Sequence, residues 1–119
     1  MGSRLILFAD DSEPMRRLVR AILEPAGYQV MTAEDGNQAL AQFAEHARDI
    51  DLVILDNQMP GHTGEEVLAQ IRERDNDLPV LMASGFEKPG DGIKDPRLSY
   101  LTKPYMPADL IRTVGKLLK

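Results

Sequence analysis

Short apolar runs that stop abruptly at a polar or charged residue recur along this chain, and they limit its fold more than any other feature. Most of them are rich in leucine, isoleucine and valine, which is typical of strands buried on both faces of a sheet. We predict five strands, of which the second has the weakest pattern, over residues 4–9, 28–32, 51–56, 79–83 and 99–102.

Amphipathic segments separate the predicted strands. The first begins with the capping residue Ser12, and its inner face carries apolar residues at helical spacing, namely Met15, Leu18, Val19, Ile22 and Leu23. Further helices are predicted after Asp35, Gly64 and Pro107. This alternation indicates an α/β fold, in which a doubly wound parallel sheet is covered by helices on both faces. Residues 86–98 contain two prolines and two glycines, so the fourth helix is predicted to be short or irregular.

Length and composition indicate one compact domain over residues 1–119. Residues 1–3 are as typical of an expression-tag remnant as of a native start. The absence of cysteine excludes a disulfide framework and a thiolate metal site, and it favours a cytoplasmic location. No apolar run approaches the roughly 20 residues that span a bilayer, so no membrane contact is expected. The net charge of −5 argues against direct nucleic acid binding.

Polar residues follow four of the predicted strands: Asp10 and Asp11 the first, Asp56 the third, Ser84 the fourth and Lys103 the fifth. Because the carboxyl ends of parallel strands meet along one edge of a sheet, we expect these side chains in one crevice. Three carboxylates placed together would raise one another's pKa values unless a cation lay among them. Oxygen ligands without histidine or cysteine suit Mg²⁺. The sequence therefore predicts a magnesium site.

The same residues are suited to phosphoryl transfer. Aspartate is an established covalent nucleophile, and a divalent ion offsets its repulsion of an incoming phosphoryl group. Lys103 supplies a compact cation for phosphoryl oxygens, and the Ser84 hydroxyl can donate a hydrogen bond to one of them. We therefore predict that Asp56 accepts a phosphoryl group.

These residues resemble the receiver domain of bacterial response regulators, and the resemblance extends from Leu5 to Leu118. It rests on four motifs, Asp10-Asp11, Asp56-Asn57-Gln58-Met59-Pro60 with Gly64, Ala83-Ser84-Gly85 and Tyr100-Leu101-Thr102-Lys103-Pro104. It implies a flavodoxin-like sheet in the order 2-1-3-4-5. It also implies a phosphoacceptor in a two-component phosphorelay, which catalyses only its own phosphorylation and dephosphorylation.

The resemblance assigns the metal ligands. It implies that Asp56 is the phosphorylation site, that Asp11, Asp56 and the backbone carbonyl of Gln58 bind Mg²⁺ directly, and that Asp10 holds a metal-bound water. The implied phosphoryl donor is a histidine kinase or a histidine phosphotransfer protein.

The resemblance also assigns a switch, in which Ser84 and Tyr100 move on phosphorylation, and a cis peptide bond before Pro104. In relatives, the side chain at the position of Phe86 lies near the path of hydrolytic water. Because Phe86 is bulky, we predict a long-lived phosphoryl group. The Ser84-Gly85-Phe86 segment is similar to receiver modules of hybrid sensor kinases. A homodimer stays among the expected partners, but the short segment between Ser84 and Lys103 argues against dimerisation through the surface that the fourth helix usually helps to form.

Three alternatives belong to other functional classes. A degenerate receiver would serve only as a protein-interaction module. An aspartyl-phosphate phosphohydrolase would need a second acid where this chain has Gln58. An FMN-binding module would need a phosphate cradle in place of Asp10-Asp11, whose charges repel phosphate.

Overall fold

The computed structural model describes residues 3–84 and 95–118. Five parallel strands form one sheet in the order β2-β1-β3-β4-β5. The strands are β1 (Leu5–Ala9), β2 (Gln29–Ala33), β3 (Ile50–Asp56), β4 (Val80–Ser84) and β5 (Leu98–Thr102). The helices of the described ranges are α1 (Glu13–Leu23), α2 (Gly36–His46), α3 (Gly64–Arg74) and α4 (Pro107–Leu117).

This architecture confirms the predicted α/β fold and the strand order 2-1-3-4-5. The bounds of every predicted strand agree with the observed ones to within one residue. Two predictions lie outside the described residues: most of the segment predicted to form a short or irregular fourth helix, and the role of Phe86.

The sheet divides the apolar core into two layers, because successive side chains of a strand point to opposite faces. Alternate strand residues such as Leu7 and Val53 pack with buried side chains of α2 and α3. Their neighbours, such as Ile6 and Ile54, pack with buried side chains of α1 and α4. Both faces of the three central strands are therefore covered, which agrees with their near-continuous apolar sequences.

Arg72 of α3 ties together the elements at the amino-terminal edge of β4 and β5. Its Nε lies 2.7 Å from Asp95 Oδ2, and its Nη1 donates hydrogen bonds to the carbonyl oxygens of Leu78 (2.8 Å) and Asp75 (3.1 Å). Both charged side chains are only 14% exposed. The planar guanidinium holds its donors in a fixed geometry, so this contact fixes where the chain enters β5. β5 in turn carries Tyr100 and leads to Lys103.

We expect the Asp95 carboxylate to make stability depend on pH. Burial alone raises the pKa of Asp95, but hydrogen bonds from the Arg72 side chain and the Arg97 N–H outweigh it and hold the pKa below its usual value. Its contribution is therefore present above the ordinary aspartate pKa and is lost as pH falls through the lower, folded-state value. Asp95→Asn should reduce the free energy of unfolding by about 1.5 kcal/mol at pH 7.

Urea unfolding of wild type and Asp95→Asn at pH 7 and near pH 3 measures this contribution. The difference between the two proteins should shrink at the acid pH. Asp49→Asn is the control, because Asp49 is exposed and should change stability little at either pH. A difference between wild type and Asp95→Asn that stays constant across the range would contradict the expected linkage.

Candidate functional site

Three carboxylates meet at the carboxyl edge of the sheet. Asp10 and Asp11 follow β1, and Asp56 is the last residue of β3, the neighbouring strand. One oxygen of each lies within 4.8 Å of the others. Asp10 is 2% exposed and Asp56 is 8% exposed, whereas Asp11 faces solvent. The structure thus brings these three predicted residues together.

Lys103 completes the cluster from the end of β5. Its Nζ lies 2.9 Å from Asp56 Oδ1 and 3.8 Å from Asp10 Oδ2. The Lys103 N–H donates a 2.6 Å hydrogen bond to the Ser84 carbonyl oxygen, and the peptide bond to Pro104 is cis, as the family resemblance implies. The ammonium therefore faces the two most buried carboxylates of the cluster.

The segment between β1 and α1 holds Asp10 in place. Asp10 Oδ1 accepts a 2.9 Å hydrogen bond from the Ser12 N–H, and the Arg16 guanidinium donates to the Asp10 carbonyl oxygen at 2.8 Å. Burial raises the pKa of the Asp10 carboxyl, and the charges of Asp56 and Asp11 raise it further. The Ser12 N–H and Lys103 offset part of this increase. The cluster therefore carries unfavourable negative charge that a cation would neutralise.

The loop after β3 borders the same cleft. Asn57 anchors it, because its N–H donates to the Ala83 carbonyl oxygen and its own carbonyl oxygen accepts from the Gly64 N–H, both at 2.9 Å. Gln58, the predicted backbone ligand, pairs with Thr63 across the loop. The cleft itself is lined by Asp11, Asp56, Asn57, Gln58, Met59, Pro60 and Lys103.

The two predicted switch residues lie in neighbouring strands. Ser84 ends β4 and is buried, and it is not among the residues that line the cleft. Tyr100 is half-buried in β5 and packs against the apolar layer of α2 and α3. Its hydroxyl is buried without a hydrogen-bond partner among the described residues. Burial, and then the charges of Glu65 and Asp95, raise the pKa of Tyr100.

Tyr105 is a residue of the site that sequence reasoning missed. It lies two positions after Lys103, and its ring packs against the apolar layer of α1 and α4. Burial, and then the charges of Asp10 and Asp56, raise the pKa of its hydroxyl to about 12. Nothing in the sequence indicates that the charges of Asp10 and Asp56 act on this hydroxyl, because that effect depends on how the turn after β5 folds back.

The donor set of the cluster fits a hard divalent cation. It offers carboxylate oxygens from two neighbouring strands, and no histidine or cysteine belongs to it. Mg²⁺ takes one or two protein carboxylates and keeps several waters, and the cleft beside exposed Asp11 is open to solvent. Asp56 belongs both to this carboxylate cluster and to the ion pair with Lys103.

The fold and the site define a class of protein. Residues 6–115 match the family model of the response regulator receiver domain, so the chain belongs to that family. Receiver domains are the phosphoacceptors of two-component signalling.

Individual relatives agree with this assignment. The transcriptional regulatory protein ResD of Bacillus subtilis is 36% identical over 124 residues, which cover 96% of this chain and 48% of that protein. The chemotaxis protein CheY4 of Vibrio cholerae has a TM-score of 0.89 and 32% identity, with 98% of this chain and 100% of that chain covered.

The response regulator TrrA of Thermotoga maritima, solved in complex with Mg²⁺-BeF, has a TM-score of 0.87 and 33% identity over 97% of this chain and 99% of that chain. The chain spans 53% or less of three curated relatives that it matches. No helix in the described parts of the chain is long and apolar enough to cross a membrane.

Proposed function

We propose that this domain takes a phosphoryl group from a phosphohistidine onto Asp56 in a magnesium-dependent reaction. The observation that carries the proposal is the arrangement at the sheet edge. Asp10, Asp11 and Asp56 converge within 4.8 Å, and Lys103 lies 2.9 Å from Asp56. The donor is a histidine kinase or a histidine phosphotransfer protein.

Asp56 is the nucleophile in this reaction. One of its carboxylate oxygens forms a bond to phosphorus while the bond between phosphorus and the histidine nitrogen breaks, and the electron pair of that bond stays with the histidine. Lys103, which pairs with Asp56 before the reaction, is placed to bind the phosphoryl oxygens afterwards.

Mg²⁺ held by Asp11, Asp56 and the Gln58 carbonyl, with Asp10 binding a coordinated water, would supply positive charge that offsets repulsion between the carboxylates and the phosphoryl group. Ser84 and Tyr100 act after transfer. The Ser84 hydroxyl donates to a phosphoryl oxygen, and the Tyr100 ring takes an inward position in the layer that it already borders.

The chain acts as a phosphoacceptor for its partner and turns over no other substrate. It spans 53% or less of three matched curated relatives and all of the CheY4 chain, and both a stand-alone regulator and a module of a larger chain fit its sequence. Two statements remain predictions from the sequence: that this domain is a module of a hybrid sensor kinase, and that it forms a homodimer.

Labelling with acetyl phosphate tests the proposal. The wild-type chain incubated with acetyl phosphate and MgCl₂ should gain one phosphoryl group, measured by intact-protein mass spectrometry, and hydroxylamine should remove it, as expected for an acyl phosphate. The same incubation with EDTA should give no labelling. Equal labelling with and without EDTA would contradict the magnesium requirement. No labelling under either condition would favour an interaction module.

A further inference from the structure

His62 lies where the loop between β3 and α3 rests on the start of α2. A Cβ added at Gly36, the first residue of α2, would overlap His62 Cβ and lie 3.0 Å from His62 Cγ and 3.1 Å from His62 Nδ1. Gly36 is buried and His62 is half-buried. The neighbouring Gly61 faces the same turn of the helix, because the atom nearest to a Cβ built on it is Asn37 Nδ2, at 3.7 Å. The absence of a side chain at Gly36 therefore lets the loop contact the helix directly.

The first turn of α2 gives the loop a fixed support. Asp35 caps the helix, since its Oδ1 accepts a 2.7 Å hydrogen bond from the Gln38 N–H. The Gln38 side chain in turn accepts a 2.8 Å hydrogen bond from the Glu34 N–H. These hydrogen bonds hold the chain on both sides of Gly36, and capping bonds of this kind stabilise a helix start by about 1 kcal/mol. The loop is therefore easier to displace than the helix on which it rests.

The loop connects this support to Gln58, the predicted backbone ligand. Thr63, the residue after His62, pairs with Gln58 across the loop. The Gly64 N–H closes the same loop, since it donates a 2.9 Å hydrogen bond to the Asn57 carbonyl oxygen. The contact of His62 with α2 is thus one residue away from the segment that pairs with Gln58.

We propose that His62 is a positioning residue of the cation site, whose contact with Gly36 holds the loop and thereby the Gln58 backbone in place. The inference rests on the proposed magnesium-dependent function. Gln58 lines the cleft together with Asp11 and Asp56. Partners that orient a metal ligand from outside the site contribute to metal affinity, so a displaced loop should bind the cation more weakly.

Gly36→Ala tests the contact, because its methyl group displaces the backbone of His62 rather than the tip of a flexible side chain. It should weaken binding of MgCl₂, measured by isothermal titration calorimetry, by about tenfold. Gly115→Ala is the matched control. Its methyl group would lie 4.0 Å from the nearest atom, Tyr28 Oη, and Mg²⁺ affinity should stay unchanged. Asp95→Asn, expected to lower stability from the opposite edge of the sheet, should also leave Mg²⁺ affinity unchanged, which separates a loss of affinity from a loss of stability.

Amide hydrogen exchange in EDTA provides a measurement without the cation. In Gly36→Ala the Gly64 N–H should exchange severalfold faster relative to the Val53 N–H, which donates to the Pro79 carbonyl oxygen at 3.1 Å within the sheet. A rate that rises equally at both amides would show a global loss of stability and would overturn the positioning role.

A double-mutant cycle with His62→Gly isolates the contact. His62→Gly alone should weaken Mg²⁺ binding, since the loop loses its contact with α2. In that background Gly36→Ala should change Mg²⁺ affinity by less than about twofold, because the side chain that it would overlap is gone. A similar large loss in both backgrounds would overturn the proposal, as would unchanged Mg²⁺ affinity in Gly36→Ala. Failure of the wild-type chain to bind Mg²⁺ would overturn the proposed function itself, and the role of His62 with it.

Discussion

Asp56→Asn should abolish labelling by acetyl phosphate in the presence of MgCl₂. The substitution keeps the size of the side chain and an oxygen that can accept the hydrogen bond from Lys103, but an amide is not a nucleophile toward phosphorus. It also removes one of the three charges that repel each other in the cluster. We therefore expect no phosphoryl adduct by intact-protein mass spectrometry and no loss of thermal stability in EDTA.

Asp51→Asn is the matched control for this experiment. Asp51 lies in the same strand as Asp56, and its Oδ2 accepts a 2.9 Å hydrogen bond from the Leu5 N–H at the other edge of the sheet. An asparagine oxygen can accept that bond too, so Asp51→Asn should be labelled like the wild type. Stoichiometric labelling of Asp56→Asn would rule out Asp56 as the phosphoacceptor.

Gly64→Ala should produce the largest loss of stability among the single substitutions considered for this chain. A Cβ at Gly64 would lie 2.5 Å from Met82 Sδ and 2.6 Å from the carbonyl oxygen of Asp56. The Met82 side chain can move, but the Asp56 backbone belongs to the central strand and cannot move without disturbing its pairing. We expect a loss of about 3 kcal/mol, which corresponds to roughly 10 °C or more in melting temperature.

Gly115→Ala provides the control for the glycine substitution. Gly115 lies within α4, and the nearest atom to its added Cβ would be Tyr28 Oη at 4.0 Å, an ordinary van der Waals contact. Alanine should therefore raise stability by about 0.5–1 kcal/mol through helix propensity. Differential scanning calorimetry measures the melting temperatures of both variants and of the wild type. Similar melting temperatures for Gly64→Ala and Gly115→Ala would show that the loop before α3 can adapt.

The fold was predictable because the apolar runs mark strands that are buried on both faces. The runs around Ile6 and Val53 end in carboxylates, and parallel strands bring those ends to one edge of the sheet. The convergence of Asp10, Asp11 and Asp56 was accessible for the same reason. The chemical roles of these residues remain proposals, since they came from the type and order of the residues and from the family resemblance.

Two contacts away from the strand ends were not accessible from the sequence. The pairing of Arg72 with Asp95 joins residues 23 positions apart, and each residue alone resembles a solvent-exposed charge. The position of Tyr105 depends on the turn after β5, and periodicity carries no information about that turn. Such contacts are set by tertiary packing, which a single sequence does not encode in any local pattern.

The division of the core by the sheet has a consequence for substitutions in the core. Tyr105 contacts the layer under α1 and α4, whereas Tyr100 contacts the layer under α2 and α3. A substitution in one layer can therefore change the packing under α1 and α4 while the side chains that pack under α2 and α3 keep their neighbours.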